Sequence, residues 1–382
     1  MSILVVDDNP MNVMVVREML NRSGYEDVQV AYSADEMFDI LRSEGRGAQT
    51  PVSVNLILLD LMMPGTDGIE ACGMLQKDEQ LRDIPVIMVT AIGDSRKLAE
   101  ALDAGATDYV TKPINKIELL ARIRSALRLK TELDWHKERD RRLHEELSLA
   151  RQVQEAVMPN DVDEENLRMR AFFRASEGLA GDLYAWHVLD SRHYLIAIMD
   201  AMGHGISSSL ISMFTASVLH EAMRTTVTPK RIVNELNRRL LQLQYENEMV
   251  QYYCTGICAW IDLENGIIEY VNAGHPPGLI TRGDGSGTHQ LGATAPPIGM
   301  FEQMEVATET ASLRAGDVLH LFTDGLLDLF PGDMEQRIAQ LTGTILESEG
   351  DSKALEQLLV QESLDRRPDD RCLVRVEVKQ AL

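Results

Sequence analysis

Through residues 1–125, short apolar runs alternate with stretches whose apolar positions recur every three or four residues. The runs are "ILVVD", "VQVAY", "LILLD", "PVIMVT" and "DYVTK". Between them lie "MNVMVVREMLN", "ADEMFDILR", "GIEACGMLQ" and "RKLAEALDAG", and a fifth helical pattern begins near Ile117. Strand runs this apolar are buried on both faces. Their alternation with helices predicts a doubly wound (βα)5 unit with a parallel sheet and right-handed crossovers.

One helical pattern then persists from Leu119 to Val157 without Gly or Pro, and Pro159 stops it. Steps of three and four residues pass through Leu119, Ala126, Leu129, Leu133, Leu143, Leu147, Ala150 and Val157. The polar residues Arg122, His136, Asp140 and Gln154 fall on the same line. The pattern predicts a coiled-coil seam with a polar centre and hence a homodimer; the competing reading is a solvated helix packed on its own domains. After it the pattern changes. "MRAFFRAS", "YLIAIMD", "YCTGICAWIDL", "IIEYVNAG", "VLHLFTD" and "RCLVRVEVK" read as strands separated by turns, with paired helices near 206–224 and 229–243. That grouping predicts an α+β layered sandwich. The predicted organisation is thus 1–125, a helical linker at 126–158, and 159–382, an α/β protein overall.

Charge narrows the partners. With 37 basic and 60 acidic side chains the chain carries a net charge of −23, which argues against nucleic acid and anionic membrane as ligands. No apolar run approaches the ~20 residues of a membrane span. The opening "MSILVVDDNP" is too short and acidic for a signal peptide. Cys72, Cys254, Cys258 and Cys372 lack zinc-site spacing and read as thiols in a reducing compartment, so the expectation is a cytoplasmic protein.

The chemistry lies at strand ends. In a parallel sheet the loops after the strands form the binding crevice. Asp7 and Asp8, Asp60, Thr90 and Lys112 all fall there. Three carboxylates in one crevice call for a hard cation such as Mg²⁺, beside which a carboxylate can attack a phosphoryl group. "VVDDNP", "LLDLMMPGTDG", "MVTA" and "YVTKP" resemble the response-regulator receiver family. The resemblance implies Asp60 as phosphoacceptor, and Asp7, Asp8, Asp60 and the Met62 carbonyl around Mg²⁺. It further implies Thr90 and Tyr109 as the switch pair, Lys112 at the phosphoryl oxygens before a cis Lys112–Pro113 bond, and a histidine kinase or phosphotransfer protein upstream.

A second acidic set occupies the other region. Asp200 and Asp324 end apolar strands at glycine turns, while Asp182 and Asp369 lie at strand starts. Each alone is ordinary turn chemistry. Antiparallel neighbours, however, set one strand's end beside the next one's start, so the four can meet as a two-metal site. "LARQVQEAVMP", "AGDLYAW", "MDAMGHGISSSL", "NAGHPP", "LFTDGLLD" and "DDRCLV" resemble, in order, the SpoIIE-like branch of the PPM metal-dependent protein phosphatases. The resemblance implies two Mn²⁺ or Mg²⁺ ions held by Asp182, Asp200, the Ala201 carbonyl, Asp324 and either Asp369 or Asp370. It implies in-line hydrolysis of phosphoserine or phosphothreonine without a covalent enzyme intermediate. The substrate it implies is a phosphorylated STAS-type anti-anti-sigma factor, placing the chain in sigma-factor regulation. Three positions depart from the family pattern: Ala180, Ala185, and Arg371–Cys372 after the paired aspartates. His204 and His275 suit structural or substrate-contact roles, because four carboxylates already suffice for the ions. The alternative function is a non-catalytic adaptor whose phosphatase-like domain only binds a partner; retention of all four aspartates argues against it.

Overall fold

The computed structural model describes residues 1–44, 54–91, 95–176, 178–243, 252–348, 351–361 and 369–379. The chain divides into two compact units, Met1–Arg142 and Leu143–Leu382.

The first unit runs β1 (Ser2–Val6), α1 (Pro10–Asn21), β2 (Val28–Ala31), α2 (Ala34–Glu44), β3 (Val54–Asp60), α3 (Gly68–Lys77), β4 (Val86–Ala91), α4 (Ser95–Asp103), β5 (Asp108–Lys112) and the start of α5 (Lys116–Val157). The sheet order β2-β1-β3-β4-β5 is parallel throughout, as the alternating pattern predicts. Side chains alternate across it. Leu4, Val6, Ile57 and Leu59 pack with Met37, Phe38 and Leu75 on one face. Ile3, Val5, Leu56 and Leu58 pack with Leu20, Leu119 and Ile123 on the other. With both faces covered, the central strands carry near-continuous apolar runs, Ile3–Val6, Leu56–Leu59 and Val86–Val89.

The second unit adds β6 (Val162–Asp163), β7 (Leu167–Arg174), β8 (Asp182–Val188), β9 (His193–Ala201), α6 (Ile206–Thr225), α7 (Pro229–Leu241), β10 (Cys254–Asp262), β11 (Ile267–Ala273), β12 (Gly278–Thr281), β13 (Thr288–Leu291), β14 (Glu309–Ser312), β15 (Val318–Phe322), α8 (Asp324–Leu327), α9 (Met334–Glu347), α10 (Ser352–Val360) and β16 (Arg371–Val378). Two antiparallel sheets result, β14-β11-β10-β9-β8 and β13-β12-β15-β16-β7-β6. Tyr194, Ile196 and Ile198 of β9 meet Leu319, Leu321, Val374 and Val376 of the other sheet. Leu195, Ala197 and Met199 point the opposite way, into α6 and α7. The helices α8, α9 and α10 cover the outer face of the six-stranded sheet. The order of layers is helix, sheet, sheet, helix. Each fully buried Ile or Leu contributes ~1.5–3 kcal/mol relative to exposure. This double-sided core offsets the cost of gathering like charges at its edge.

Among the described residues, no helix is long and apolar enough to cross a membrane. All four cysteines are buried and free.

Candidate active site

In the first unit, Asp7, Asp8 and Asp60 bring carboxylate oxygens within 4.8 Å of one another. Asp7 and Asp60 are buried and Asp8 is exposed, so the cluster opens to solvent on one side. Lys112 Nζ donates to Asp60 Oδ1 at 2.7 Å and to Asp7 Oδ2 at 2.9 Å. Burial pushes the Asp60 carboxyl up, against the opposing pull of Lys112. Asn12 Nδ2 also donates to both Asp7 oxygens at 3.0 Å, a contact no spacing rule flags. The donor set is all oxygen and anionic, which fits Mg²⁺. Thr90, at the end of β4, donates to the Ala91 carbonyl at 3.3 Å. The Tyr109 ring, at the start of β5, lies 5.1 Å below the Arg122 guanidinium carbon of α5. Arg122 itself is bound by Asp108 and Glu118. Met62 is exposed in the loop after β3. The Lys112–Pro113 bond is cis.

In the second unit, strand phase explains why an apolar run ends on a charge. Residues 194, 196 and 198 face the inter-sheet core, so Asp200 continues their series at the sheet edge, where the core gives way to solvent. Asp182 lies directly opposite Asp200 in the β8–β9 register. The Ala201 amide donates to the Gly181 carbonyl at 3.3 Å. Asp324 opens α8 immediately after β15, and Asp369 precedes β16, whose Leu373 pairs with Phe322. The chain bends away after Asp200 through Gly203 and Gly205, with φ of 89° and 78°, a region that Cβ-bearing residues rarely enter.

The electrostatics bind the four into one group. Burial, then the facing Asp200 and Asp370, raise the Asp182 carboxyl well above its usual range. Burial, then Asp324 and Asp369, push Asp200 up to about 8. Burial and Asp369 push Asp324 to about 6, and burial also raises Asp369. Asp182 is only 2% exposed, and its Oδ2 is buried with no hydrogen-bond partner among the described residues. A carboxylate oxygen buried without a donor, facing further raised carboxylates, fits divalent cations.

His204 faces Asp369 and favours its ionised form. His275 is buried and neutral, its ring pushed down to about 3 by burial. Its Nδ1 pairs with Thr255 Oγ1 at 2.9 Å, and Thr255 lies opposite Asp200.

Three supporting residues make contacts that the sequence does not show: Thr323 stands in no motif role there, Gln154 reads only as a seam position, and Asp370 only as an alternative to Asp369. Gln154, near the end of α5, is buried; its Nε2 donates to the Ala180 carbonyl at 2.6 Å, and its Oε1 accepts from the Ala180 amide at 3.1 Å. Thr323 lies against Asp182, favouring its ionised form, and accepts from the Cys372 amide at 3.0 Å. Asp370 accepts from the Ser176 and Gly181 amides, each at 2.7 Å. These contacts join residues 26 to 194 positions apart, so no local motif contains them.

Two layered sheets flanked by helices, with carboxylates along one edge, define the PP2C phosphatase fold. The SiaA-PP2C domain of Pseudomonas aeruginosa shares it, with a TM-score of 0.52 at 16% identity over 63% of this chain and 98% of that one. Residues 3–124 match the model of the response regulator receiver domain family, and residues 190–379 that of the Stage II sporulation protein E (SpoIIE) family. Phosphoserine phosphatase RsbP of Bacillus subtilis (strain 168) is 37% identical over 244 residues, 61% of this chain and 58% of RsbP. The DNA-binding dual master transcriptional regulator RpaA of Synechocystis is 40% identical over 126 residues, 33% of this chain and 48% of RpaA. The chain thus spans about half the length of these curated relatives.

Proposed function

We propose that this chain is a two-component response regulator whose output is a metal-dependent phosphoserine/phosphothreonine protein phosphatase. The observation that carries the reading is the partnerless, buried Asp182 Oδ2 opposite Asp200, with Asp324 and Asp369 completing the acidic group. Asp182, Asp200, the Ala201 carbonyl, Asp324 and Asp369 would hold two Mn²⁺ or Mg²⁺ ions. Those ions, when bound, supply an acidified water and neutralise phosphoryl charge. The protein's own part is placement. Asp200, pushed to about 8 by burial and neighbouring carboxylates, ionises once a cation offsets them. Thr323 and the Gln154–Ala180 pair of bonds fix Asp182 and the corner before it.

In the first unit Asp60 is assigned as phosphoacceptor. Asp7, Asp8, Asp60 and the Met62 carbonyl would hold Mg²⁺, Lys112 and Thr90 would bind the phosphoryl oxygens, and Tyr109 would complete the switch. A histidine kinase or phosphotransfer protein supplies the phosphoryl group, and a phosphorylated STAS-domain protein is the substrate. The name of RsbP, a phosphoserine phosphatase, supports the reaction class. The test is phosphate release from para-nitrophenyl phosphate and from purified phospho-STAS proteins, with Mn²⁺ and with chelator. Manganese-dependent release from both is expected; binding of the phosphoprotein with no release under any metal would replace the enzyme by an adaptor.

A further inference from the structure

We propose that Asp370 is a positioning residue. It is not a cation ligand but the side chain that ties the corner before Asp182 to the strand end carrying Asp369. The inference rests on the phosphatase reading of the same site.

Strand phase separates the two adjacent aspartates. Cys372, Val374, Val376 and Val378 of β16 face the inter-sheet core. Two residues before Cys372, Asp370 continues that series inward and is 3% exposed. Asp369 is in the opposite phase and half-buried, on the side of Asp324 and His204. The Asp370 carboxylate is shared out: Oδ1 accepts from the Ser176 amide and Oδ2 from the Gly181 amide, both at 2.7 Å. Both donors lie in the connection from β7 to β8, and Gly181 immediately precedes Asp182.

The Asp370 backbone is committed as well. Its amide donates to Asp369 Oδ1 at 2.8 Å. Its carbonyl sits so close to α8 that a Cβ added to Gly325 would come within 2.0 Å of it. One buried residue therefore touches the chain neighbours of Asp182 and Asp324 and the side chain of Asp369 itself. Both bonds are charge-assisted; the Gly181 bond is fully buried and the Ser176 bond partly so, and losing the former leaves the Gly181 amide buried and unpaired. With that amide goes the spacing between ligands contributed by three different elements. Outer contacts of this kind change metal affinity by ~10–100-fold.

The experiment compares full-length wild type, Asp370→Asn and Asp369→Asn by Mn²⁺ titration calorimetry and by kcat on para-nitrophenyl phosphate across Mn²⁺ concentration. Asp370→Asn keeps size and one acceptor but sets an amide nitrogen against a backbone donor. It is expected to bind as many ions per chain as wild type, about tenfold more weakly, with activity largely restored by excess Mn²⁺. Asp369→Asn is expected to lose an ion, and excess Mn²⁺ should not restore it. Loss of one ion in Asp370→Asn would make it a ligand, and wild-type affinity would make it a bystander; either overturns the proposal. If Asp370→Asn does not fold, Asp370→Ser, which keeps one acceptor oxygen without added bulk, takes its place with the same outcomes. A wild-type protein that binds Mn²⁺ but hydrolyses nothing would overturn the phosphatase reading and leave the affinity comparison standing.

Discussion

Asp200 carries a burden that the rest of its strand relieves. Its neighbours at 196 and 198 are fully buried, and it shares their face, so its carboxylate is held partly buried at the core's edge, where Asp182, Asp324, Asp369 and Asp370 approach. Without a cation this arrangement favours the protonated acid, pushed to about 8 by burial first and by Asp324, Asp369 and Asp370 after it. Replacing Asp200 by Asn keeps the shape and removes the charge that both ions would share. Turnover is expected to fall at least ~10²-fold, the scale of one charged contact in a water-poor site. Divalent-ion binding should fall with it, while the thermal midpoint of the ion-free protein holds or rises, because a like charge has gone. Calorimetry and a melting curve check both; near-normal manganese-dependent turnover would sink the two-ion assignment. At this scale much was legible. A charge ending an apolar run beside glycine is conspicuous, and four such places could be matched. The supporting roles of Gln154, Thr323 and Asp370 were not, since they lie in contacts with backbone groups far along the chain.

At the scale of elements, legibility followed burial. Strands covered on both faces, such as β3 and β9, carry continuous apolar runs, Leu56–Leu59 and Tyr194–Met199, and stand out. The edge strands β13 and β14, almost wholly exposed, have no such pattern, and the turn-rich "TRGDGSGTH" runs from the end of β12 into β13. The four-residue α8 is too short for periodicity to show. The helix α5 is the instructive case. Its 42 residues follow one seam, but the seam serves three purposes. Leu119 and Ala126 are buried in the first unit's core, and Gln154 in the second unit. Leu129, Leu133 and Leu143 between them are 47%, 41% and 47% exposed. The reading of a helix packed on its own domains thus describes its two ends, and the middle is left exposed. We propose that the exposed middle pairs with a second copy, with His136 and Asp140 in the seam keeping the pairing weak. Leu133→Glu with Leu143→Glu is expected to convert a dimer to a monomer by light scattering, with para-nitrophenyl phosphate hydrolysis retained. A wild-type monomer, with and without beryllofluoride, would count against the seam.

For the whole molecule the question is whether a phosphoryl group on Asp60 alters the acidic site in the other unit. The chain has one unbroken helix running from one unit into the next, where a Gly/Ser linker would transmit no rotation or register change. Both ends of that helix are engaged by side chains of consequence. Near its start, Arg122 lies over Tyr109 while bound to Asp108 and Glu118, so inward movement of Tyr109 toward a phosphorylated Asp60 would withdraw the ring from beneath it. Near its end, Gln154 holds both backbone groups of Ala180, two residues before Asp182. Movement of α5 therefore cannot leave the Asp182 corner untouched unless the Gln154 bonds break. We propose that phosphorylation of Asp60 raises phosphatase activity by ordering the Asp182 side of the cation site. Wild type should gain turnover and a lower Mn²⁺ requirement on adding beryllofluoride, while Asp60→Asn should not respond. Gln154→Glu keeps an acceptor for the Ala180 amide but sets a carboxylate against the Ala180 carbonyl. It should fold, bind beryllofluoride through its intact first unit, and lose most of the gain. Equal rates for wild type and Asp60→Asn, with and without beryllofluoride, would show that the units are not coupled. A full response in Gln154→Glu would show that the coupling takes another route.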